Sequence, residues 1–220
     1  MYKFFLIIGM FFLIHASLFA SEFAKLPASN TQEGYLAYLL INENPFPGEA
    51  GYVSADETKQ GMAQILWVVN NRLNSVPQGY TAFQIANTNS QTVIGIISAK
   101  DQCEGFFLND EGEPDMANRI KERAHYLLEI ANSGGIPGKF SDLINYAVTI
   151  SKNYITNVDI LAPNLYARIY KIGSINVTGD GYSWMTDVNH YSPGGDYVFI
   201  PNNLNGAVGG NRFFTLKKRD

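Results

Sequence analysis

The 220-residue sequence has one cysteine, three histidines and two tryptophans, and basic residues are not in excess. With Cys103 alone, no disulfide can form within the chain, so stability has to come from packing. The formal net charge of −4 provides no basic face of the kind that binds nucleic acid. Beyond the first twenty residues only His125 and His190 remain, too few for a three-histidine zinc site, and we expect neither a metal nor a cofactor.

Only one long apolar run occurs, at the start of the sequence. Lys3 supplies a basic residue, Phe4–Phe19 is apolar with few interruptions, and Ala20 provides a small residue at the end. This layout is typical of a secretory signal peptide, with a retained membrane anchor as the alternative. We therefore expect residues 1–20 to be removed on export to the periplasm or the outside. Residues 21–220 are then expected to form one monomeric domain without membrane contact.

The first two thirds of that domain carry helical patterns. Asn30 is placed to cap a first helix with Glu33 at its third position, and this helix ends at Glu43. A second helix follows Ser54, which is predicted to form a capping box with Glu57 ahead of apolar residues at helical spacing. Two further helices are predicted, from about Asp115 to Ala131 and from Ser141 to Tyr154.

The last third of the chain favours short strands. Alternation at Leu165–Tyr170 predicts a half-buried strand, and Tyr197–Ile200 and Arg212–Leu216 are further strand candidates. The polar stretches Gly179–Gly195 and Pro201–Gly210 are predicted to be loops. These patterns predict an α+β fold, with a mainly helical body and a small antiparallel β-sheet in the C-terminal third.

The junction between the first two helices is the place where chemistry is expected. Glu43 ends an apolar helix and faces a rigid turn that carries Glu49. Burial disfavours the ionised form of a carboxyl group and raises its pKa. A glutamate kept protonated in this way can donate a proton to the leaving oxygen of a glycosidic bond. The alternative for a glutamate at a helix end is a solvated surface position.

Several stretches together resemble the cell wall hydrolase family of spore-cortex-lytic type. Members of this family have a first helix that ends in a glutamate, followed by a glycine-led apolar helix that closes in Asn-Arg. The matching stretches are Leu39–Glu43, Pro47–Glu49, Gly61–Leu73, Val93–Phe106 and Gly209–Phe214.

The resemblance implies an activity, a substrate and a catalytic residue. The activity is cleavage of peptidoglycan glycan strands, by a lytic transglycosylase or muramidase reaction, and the catalytic glutamate falls on Glu43. A lytic transglycosylase needs one carboxyl group, because a hydroxyl of the muramic acid attacks the anomeric carbon. If a second carboxylate takes part, Glu49 is expected to supply it, because it lies in the same loop.

Further residues are candidates for substrate binding, each with a structural alternative. Asn71 and Arg72 match the Asn-Arg of the family and could bind N-acetyl groups or support Glu43; alternatively they close the helix, with Arg72 complementing its dipole. The aromatic segment that starts at Gly179 could form a groove wall or cover the edge of the sheet. Its candidate residues are Tyr182, Trp184, His190 and Tyr191.

Two other functions remain open from the sequence. The chain could be a non-catalytic envelope protein that binds cell wall or a partner; Asn44, where the family usually has a small residue, favours this. It could also be a cysteine amidase that uses Cys103 and His190. Against the amidase, Asp101 and Glu104 flank the thiol, and negative charges raise the pKa of a thiol.

Overall fold

The computed structural model describes residues 23–133, 138–157, 163–186 and 193–219. Within these ranges a helical body is followed by small antiparallel sheets in the C-terminal part, which confirms the α+β prediction. The predicted signal peptide, residues 1–20, lies outside the described residues. No helix in the described ranges combines the length and the hydropathy that crossing a membrane requires.

Six helices and eight strands occur in the described ranges. The helices are α1 (Gln32–Asn42), α2 (Ala55–Asn74), α3 (Ala82–Ala86), α4 (Val93–Ile97), α5 (Asn118–Asn132) and α6 (Gly138–Ile155). The strands are β1 (Phe106–Leu108), β2 (Pro114–Met116), β3 (Ile169–Ile172), β4 (Ile175–Gly179), β5 (Ser183–Thr186), β6 (Tyr197–Phe199), β7 (Ala207–Val208) and β8 (Asn211–Leu216). A 3₁₀ turn, Asn202–Leu204, lies between β6 and β7.

Helix α1 lies at the centre of the helical body. Its N-cap is Thr31, whose hydroxyl accepts from the Gly34 backbone N–H at 3.0 Å, so the prediction of Asn30 was wrong by one residue. Four helices, α2, α4, α5 and α6, pack around α1. Ala37 and Ile41 are therefore buried together with Tyr35, Leu36, Leu39 and Leu40, and the helix is apolar almost all round.

Helix α2 connects the helical body to the sheet. The Ser54 hydroxyl accepts from the Glu57 backbone N–H at 3.1 Å, which confirms the predicted N-terminus. Gly61 allows a close approach: a Cβ atom there would lie 2.3 Å from Asn44 Oδ1 and 3.0 Å from Gly209 Cα. This glycine therefore brings the end of α1 and the turn before β8 against the same part of α2.

The boundaries of α5 and α6 differ from those predicted. Residues Pro114–Met116 pair with β1 in an antiparallel hairpin, so α5 begins at Asn118 rather than near Asp115. Strand pairing is a non-local interaction that helical spacing cannot reveal. Helix α6 begins at Gly138, three residues before the predicted Ser141. Of its residues that recur at helical spacing, Leu143, Ile144, Ala147 and Ile150 are fully buried, and Tyr154 is half-buried.

Strand β8 is the centre of the main sheet. It pairs with β5 on one side and with β6 and β7 on the other, all antiparallel, and β5 and β7 contact α2. Strand β5 falls in the stretch Gly179–Gly195 that was predicted to be a loop. Its sequence, Ser-Trp-Met-Thr, is too short and too mixed to show the alternation from which a strand is predicted.

The strand predicted at Leu165–Tyr170 begins only at Ile169. Residues 165–168 form a turn, and Arg168 has a positive φ of 106°, which an extended strand does not allow. The turn places the Tyr166 side chain in the core, with its ring centroid 5.5 Å from that of Phe213. The buried position of Tyr166 thus coincides with a turn in place of the predicted strand.

Candidate active site

Glu43 is held at the C-terminal end of α1 by contacts from two directions. Its backbone N–H donates to the Leu39 carbonyl at 2.9 Å as the C-cap of the helix. Its own carbonyl accepts from Asn211 Nδ2 on β8 at 2.7 Å. The neighbouring Asn44 is 2 % exposed, and its amide donates to the Leu40 carbonyl at 2.8 Å. The end of α1 is thus tied to the sheet, which defines the position of the Glu43 side chain.

The carboxyl group of Glu43 is hydrogen-bonded to a tryptophan from the sheet. Trp184 Nε1, on β5, donates to Glu43 Oε2 at 2.9 Å. Burial raises the pKa of Glu43 above its ordinary value; the Trp184 hydrogen bond and the positive charges of Arg119 and Arg123 oppose that rise without cancelling it. Glu43 therefore keeps its proton to a higher pH than a surface glutamate does.

Glu43 lines a large cleft between the helical body and the sheet. The cleft has a volume of about 1540 Å³ and is bounded by α3, the 98–105 segment, β1, the start of α5, and β5. Besides Glu43, six charged side chains line part of it, namely Arg72, Lys100, Asp101, Glu104, Arg119 and Arg123. Phe83 and Phe107 also line it and are 55 % and 41 % exposed. Their exposed rings are surfaces on which sugar rings can stack.

Asn71 and Arg72 attach β5 to the end of α2. Asn71 Nδ2 donates to the Gly181 carbonyl at 3.1 Å, and Arg72 Nε donates to the Tyr182 carbonyl at 2.8 Å. The Arg72 guanidinium also lies over the Trp184 ring, 5.2 Å from its centroid. Both side chains are buried, and of the two only Arg72 lines the cleft. Arg72 thus contacts Trp184, which in turn donates a hydrogen bond to Glu43.

Glu49 lies away from the cleft in an ion pair. Its Oε2 accepts from Arg123 Nη2 at 2.6 Å and from the Phe46 backbone N–H at 2.7 Å. Arg123 also donates to the backbone carbonyls of Ile41 and Asn44, so it binds the C-terminal end of α1 and the following turn together. Glu49 therefore stabilises the turn, and of these two glutamates Glu43 alone lines the cleft.

The candidate residues of the predicted aromatic segment lie in different environments. Trp184 lines the cleft but is only 8 % exposed, because Arg72 covers its ring. Tyr182 is 2 % exposed, and its hydroxyl donates to the Ser75 carbonyl at 2.7 Å, which places it in the core. His190 and Tyr191 lie outside the described residues.

Cys103 borders the cleft, yet its thiol is not activated. It is 6 % exposed, and burial together with the nearby Glu43 raises the pKa of the thiol to about 12. A nucleophilic cysteine requires the opposite shift. In the described part of the chain, no cluster of three or more histidine, cysteine, aspartate or glutamate residues could hold a metal ion.

The Cys103 thiol is expected to resist alkylation in the folded protein. A pKa of about 12 leaves very little thiolate at pH 8, so reaction with iodoacetamide should be roughly 1,000-fold slower than in denaturant. Mass spectrometry of the labelled protein over time measures both rates. Labelling of the native chain as fast as the denatured chain would show an accessible thiolate and would favour the cysteine amidase.

Several residues of this site were not predicted from the sequence. Asn211 and Arg123 hold the end of α1 from elements far along the chain, and Phe83 and Phe107 contribute exposed rings. The exposed phenylalanines carry no sequence pattern, since each lies in a short element that also contains buried apolar residues. Asn211 could have been chosen as a candidate from the sequence, because it follows Gly209 and Gly210 in a stretch that resembles the cell wall hydrolase family.

Comparisons of this chain with protein-family models, with curated proteins and with solved structures found no match.

Proposed function

We propose that this chain is an exported enzyme that cleaves the glycan strands of peptidoglycan, with Glu43 as the general acid. One observation carries the proposal: the Glu43 carboxyl is partly desolvated in the wall of a large cleft and is oriented by Trp184. A carboxyl group with a raised pKa in a cleft is the arrangement that protonation of a glycosidic oxygen requires. The charge and aromatic pattern of the cleft also suits a sugar polymer.

The size of the cleft favours a polymeric substrate. Its volume of about 1540 Å³ exceeds the ~300–1,000 Å³ that is usual for small-molecule pockets. Phe83 and Phe107 offer apolar faces for sugar rings, and Lys100 and Arg119 offer positive charges. Carboxylates of the stem peptides on the glycan strand are suitable partners for these cations.

Because Glu49, the second carboxylate expected from the sequence, is paired with Arg123, we infer a lytic transglycosylase reaction. Glu43 donates its proton to the glycosidic oxygen as the bond to the anomeric carbon breaks. The resulting carboxylate then takes the proton of the muramic acid C6 hydroxyl, whose oxygen forms the new bond to the anomeric carbon. No water is consumed and Glu43 recovers its proton. A second carboxylate is not needed, in agreement with the pairing of Glu49 to Arg123.

Digestion of purified peptidoglycan by the mature chain tests the proposal. Mass spectrometry of the soluble fragments is expected to show 1,6-anhydro-muramyl ends. Reducing muramyl ends would instead show hydrolysis by a muramidase. Free stem peptides that disappear in Cys103→Ser would identify an amidase, and the absence of fragments would leave a wall-binding protein. Either of the last two results would overturn the proposal.

Replacement of Trp184 by Phe is expected to shift the pH dependence of cleavage. The indole N–H stabilises the ionised Glu43 carboxyl, so its loss raises the pKa of Glu43 further. A general acid works while protonated, and activity falls as pH rises through its pKa. The alkaline limb of the pH profile should therefore move to higher pH, with a lower maximal rate because Glu43 is less well oriented. A limb that does not move would show that Trp184 does not act on Glu43.

A further inference from the structure

A second, smaller cleft lies on the opposite side of α2 from Glu43. It has a volume of about 540 Å³ and is formed by α2 and α6 with residues near the starts of α1 and α4. Successive residues of a helix are about 100° apart, so Asn70 in this cleft and Arg72 in the other point in nearly opposite directions. An occupant of the second cleft is therefore separated from Glu43 by the helix.

The described lining of the second cleft combines polar and apolar side chains and carries no charge. It contains no aspartate, glutamate, lysine, arginine or histidine. Five of its side chains are carboxamides: Gln32, Asn70, Asn74, Gln91 and Asn157. Each carboxamide both donates and accepts hydrogen bonds, as hydroxyl and N-acetyl groups of sugars also do. A charged ligand would lose hydration here without gaining a counter-charge.

The centre of the cleft is already ordered by hydrogen bonds. Asn70 Oδ1 accepts from Asn74 Nδ2 at 2.9 Å and from the Tyr154 hydroxyl at 3.3 Å. Trp67, half-buried on the same side of α2, supplies an aromatic surface beside these amides. Positioned polar groups next to an aromatic ring are the combination by which proteins bind small polar ligands.

We propose that this second cleft is a binding site for an uncharged oligosaccharide segment. A short peptide is the other neutral ligand with matching amide chemistry. The saccharide is favoured because aromatic and carboxamide side chains, rather than an open strand edge, line the cleft. The site is independent of Glu43; only its use as an anchor for the glycan during cleavage rests on the proposed function.

The two tryptophans of the chain provide a separate probe for each cleft. Trp67 lies in the second cleft and Trp184 beside Glu43, and the sequence has no other tryptophan. A ¹⁵N–¹H spectrum of the full mature chain therefore contains two indole signals, which Trp67→Phe assigns. Titration with tri-N-acetylchitotriose is expected to shift the Trp67 signal with saturation, at a dissociation constant on the order of 1 mM. The titration is repeated in Glu43→Gln, where the Trp67 shift should persist.

Variants in the second cleft test the contacts themselves. Asn70→Ala and Gln91→Ala should each weaken binding as measured by the Trp67 signal. Asn70→Ala should raise the dissociation constant by about 10-fold, because it removes the acceptor that Asn74 and Tyr154 share. Because Gln91 is exposed, Gln91→Ala is expected to leave the fold intact, and it still tests the site if Asn70→Ala unfolds the protein. Trigalacturonate, which is charged, should leave the signal unchanged.

The results separate this site from the proposed activity. A saturable Trp67 shift in a chain that does not cleave peptidoglycan would support the site and overturn the enzyme. A Trp67 signal that stays fixed with tri-N-acetylchitotriose while cleavage occurs would overturn the site alone. A response to blocked trialanine amide in place of the saccharide would also overturn it, in favour of a peptide site.

Discussion

Glu43→Gln is expected to reduce peptidoglycan cleavage by at least about 100-fold, since a positioned general acid contributes ~10²–10⁴ to a rate. Gln matches the shape of the carboxyl group, and its oxygen can still accept the hydrogen bond from Trp184. The change therefore removes the transferable proton and little else. The initial rate of release of soluble fragments measures the effect.

A matched control for this variant lies in the same cleft. Glu104 also lines it, but its side chain is 92 % exposed and pairs with Arg119 at 2.9 Å. Glu104→Gln removes a solvated carboxylate and is expected to change the rate by less than about threefold, because exposed ion pairs contribute little. Equal losses in the two variants would show a general effect of charge in the cleft, and Glu43 would not be the acid.

The change in stability caused by Glu43→Gln also has an expected direction. Because the folded-state pKa of Glu43 is raised, the native protein binds more protons than the unfolded chain in the interval above the ordinary pKa of 4.5. The free energy of unfolding therefore falls as pH rises through that interval. Gln does not ionise, so the variant should melt at the same or a higher temperature at pH 7. A lower melting temperature would assign the lost activity to a disturbed fold.

Arg123→Met is expected to give the largest loss of stability among single changes at this site. Arg123 binds the Glu49 carboxylate through two nitrogens and also the carbonyls of Ile41 and Asn44, and it lies 5.7 Å from the Phe46 ring centroid. A methionine side chain keeps much of the apolar volume of Arg123 but can form none of its hydrogen bonds. Glu49 and two backbone carbonyls are then left without the partner that this structure gives them.

The size of the effect follows from the burial of the pair. Breaking a fully buried ion pair costs about 3–5 kcal/mol. The Arg123 and Glu49 side chains are 25 % and 34 % exposed, so the cost should be nearer ~2 kcal/mol. For a domain of this length, that lowers the melting temperature by about 4–8 °C. Differential scanning calorimetry of the variant and the unchanged protein measures this difference in melting temperature.

Arg119→Met is the matched control for Arg123. Arg119 is one turn earlier on α5, and its ion pair with Glu104 is exposed, with 55 % and 92 % side-chain exposure. Its replacement should lower the melting temperature by at most about 2 °C. Similar shifts in the two variants would contradict the role of Arg123 as the connection between α5 and the end of α1.

The residues around Glu43 differ in how far they could be predicted. The position of Glu43 at the end of a helix was predicted, because apolar spacing and the following prolines mark where the helix stops. Its contact with Trp184 was not predicted, because 141 residues separate the two and β5 resembled a loop. Glu49 was expected beside Glu43 from proximity in sequence, and its pairing with Arg123, 74 residues away, could not be anticipated.

By itself the sequence determined the α+β class, the N-cap of α2 and the apolar face of α6. These depend on capping hydrogen bonds and periodicities that act within a few residues. Only the tertiary structure decided that Glu43 borders the cleft while Glu49 forms an ion pair away from it, and which tryptophan lies in which cleft. Those outcomes depend on strand pairing and burial between segments far apart in the chain, where local spacing carries no information about the partner.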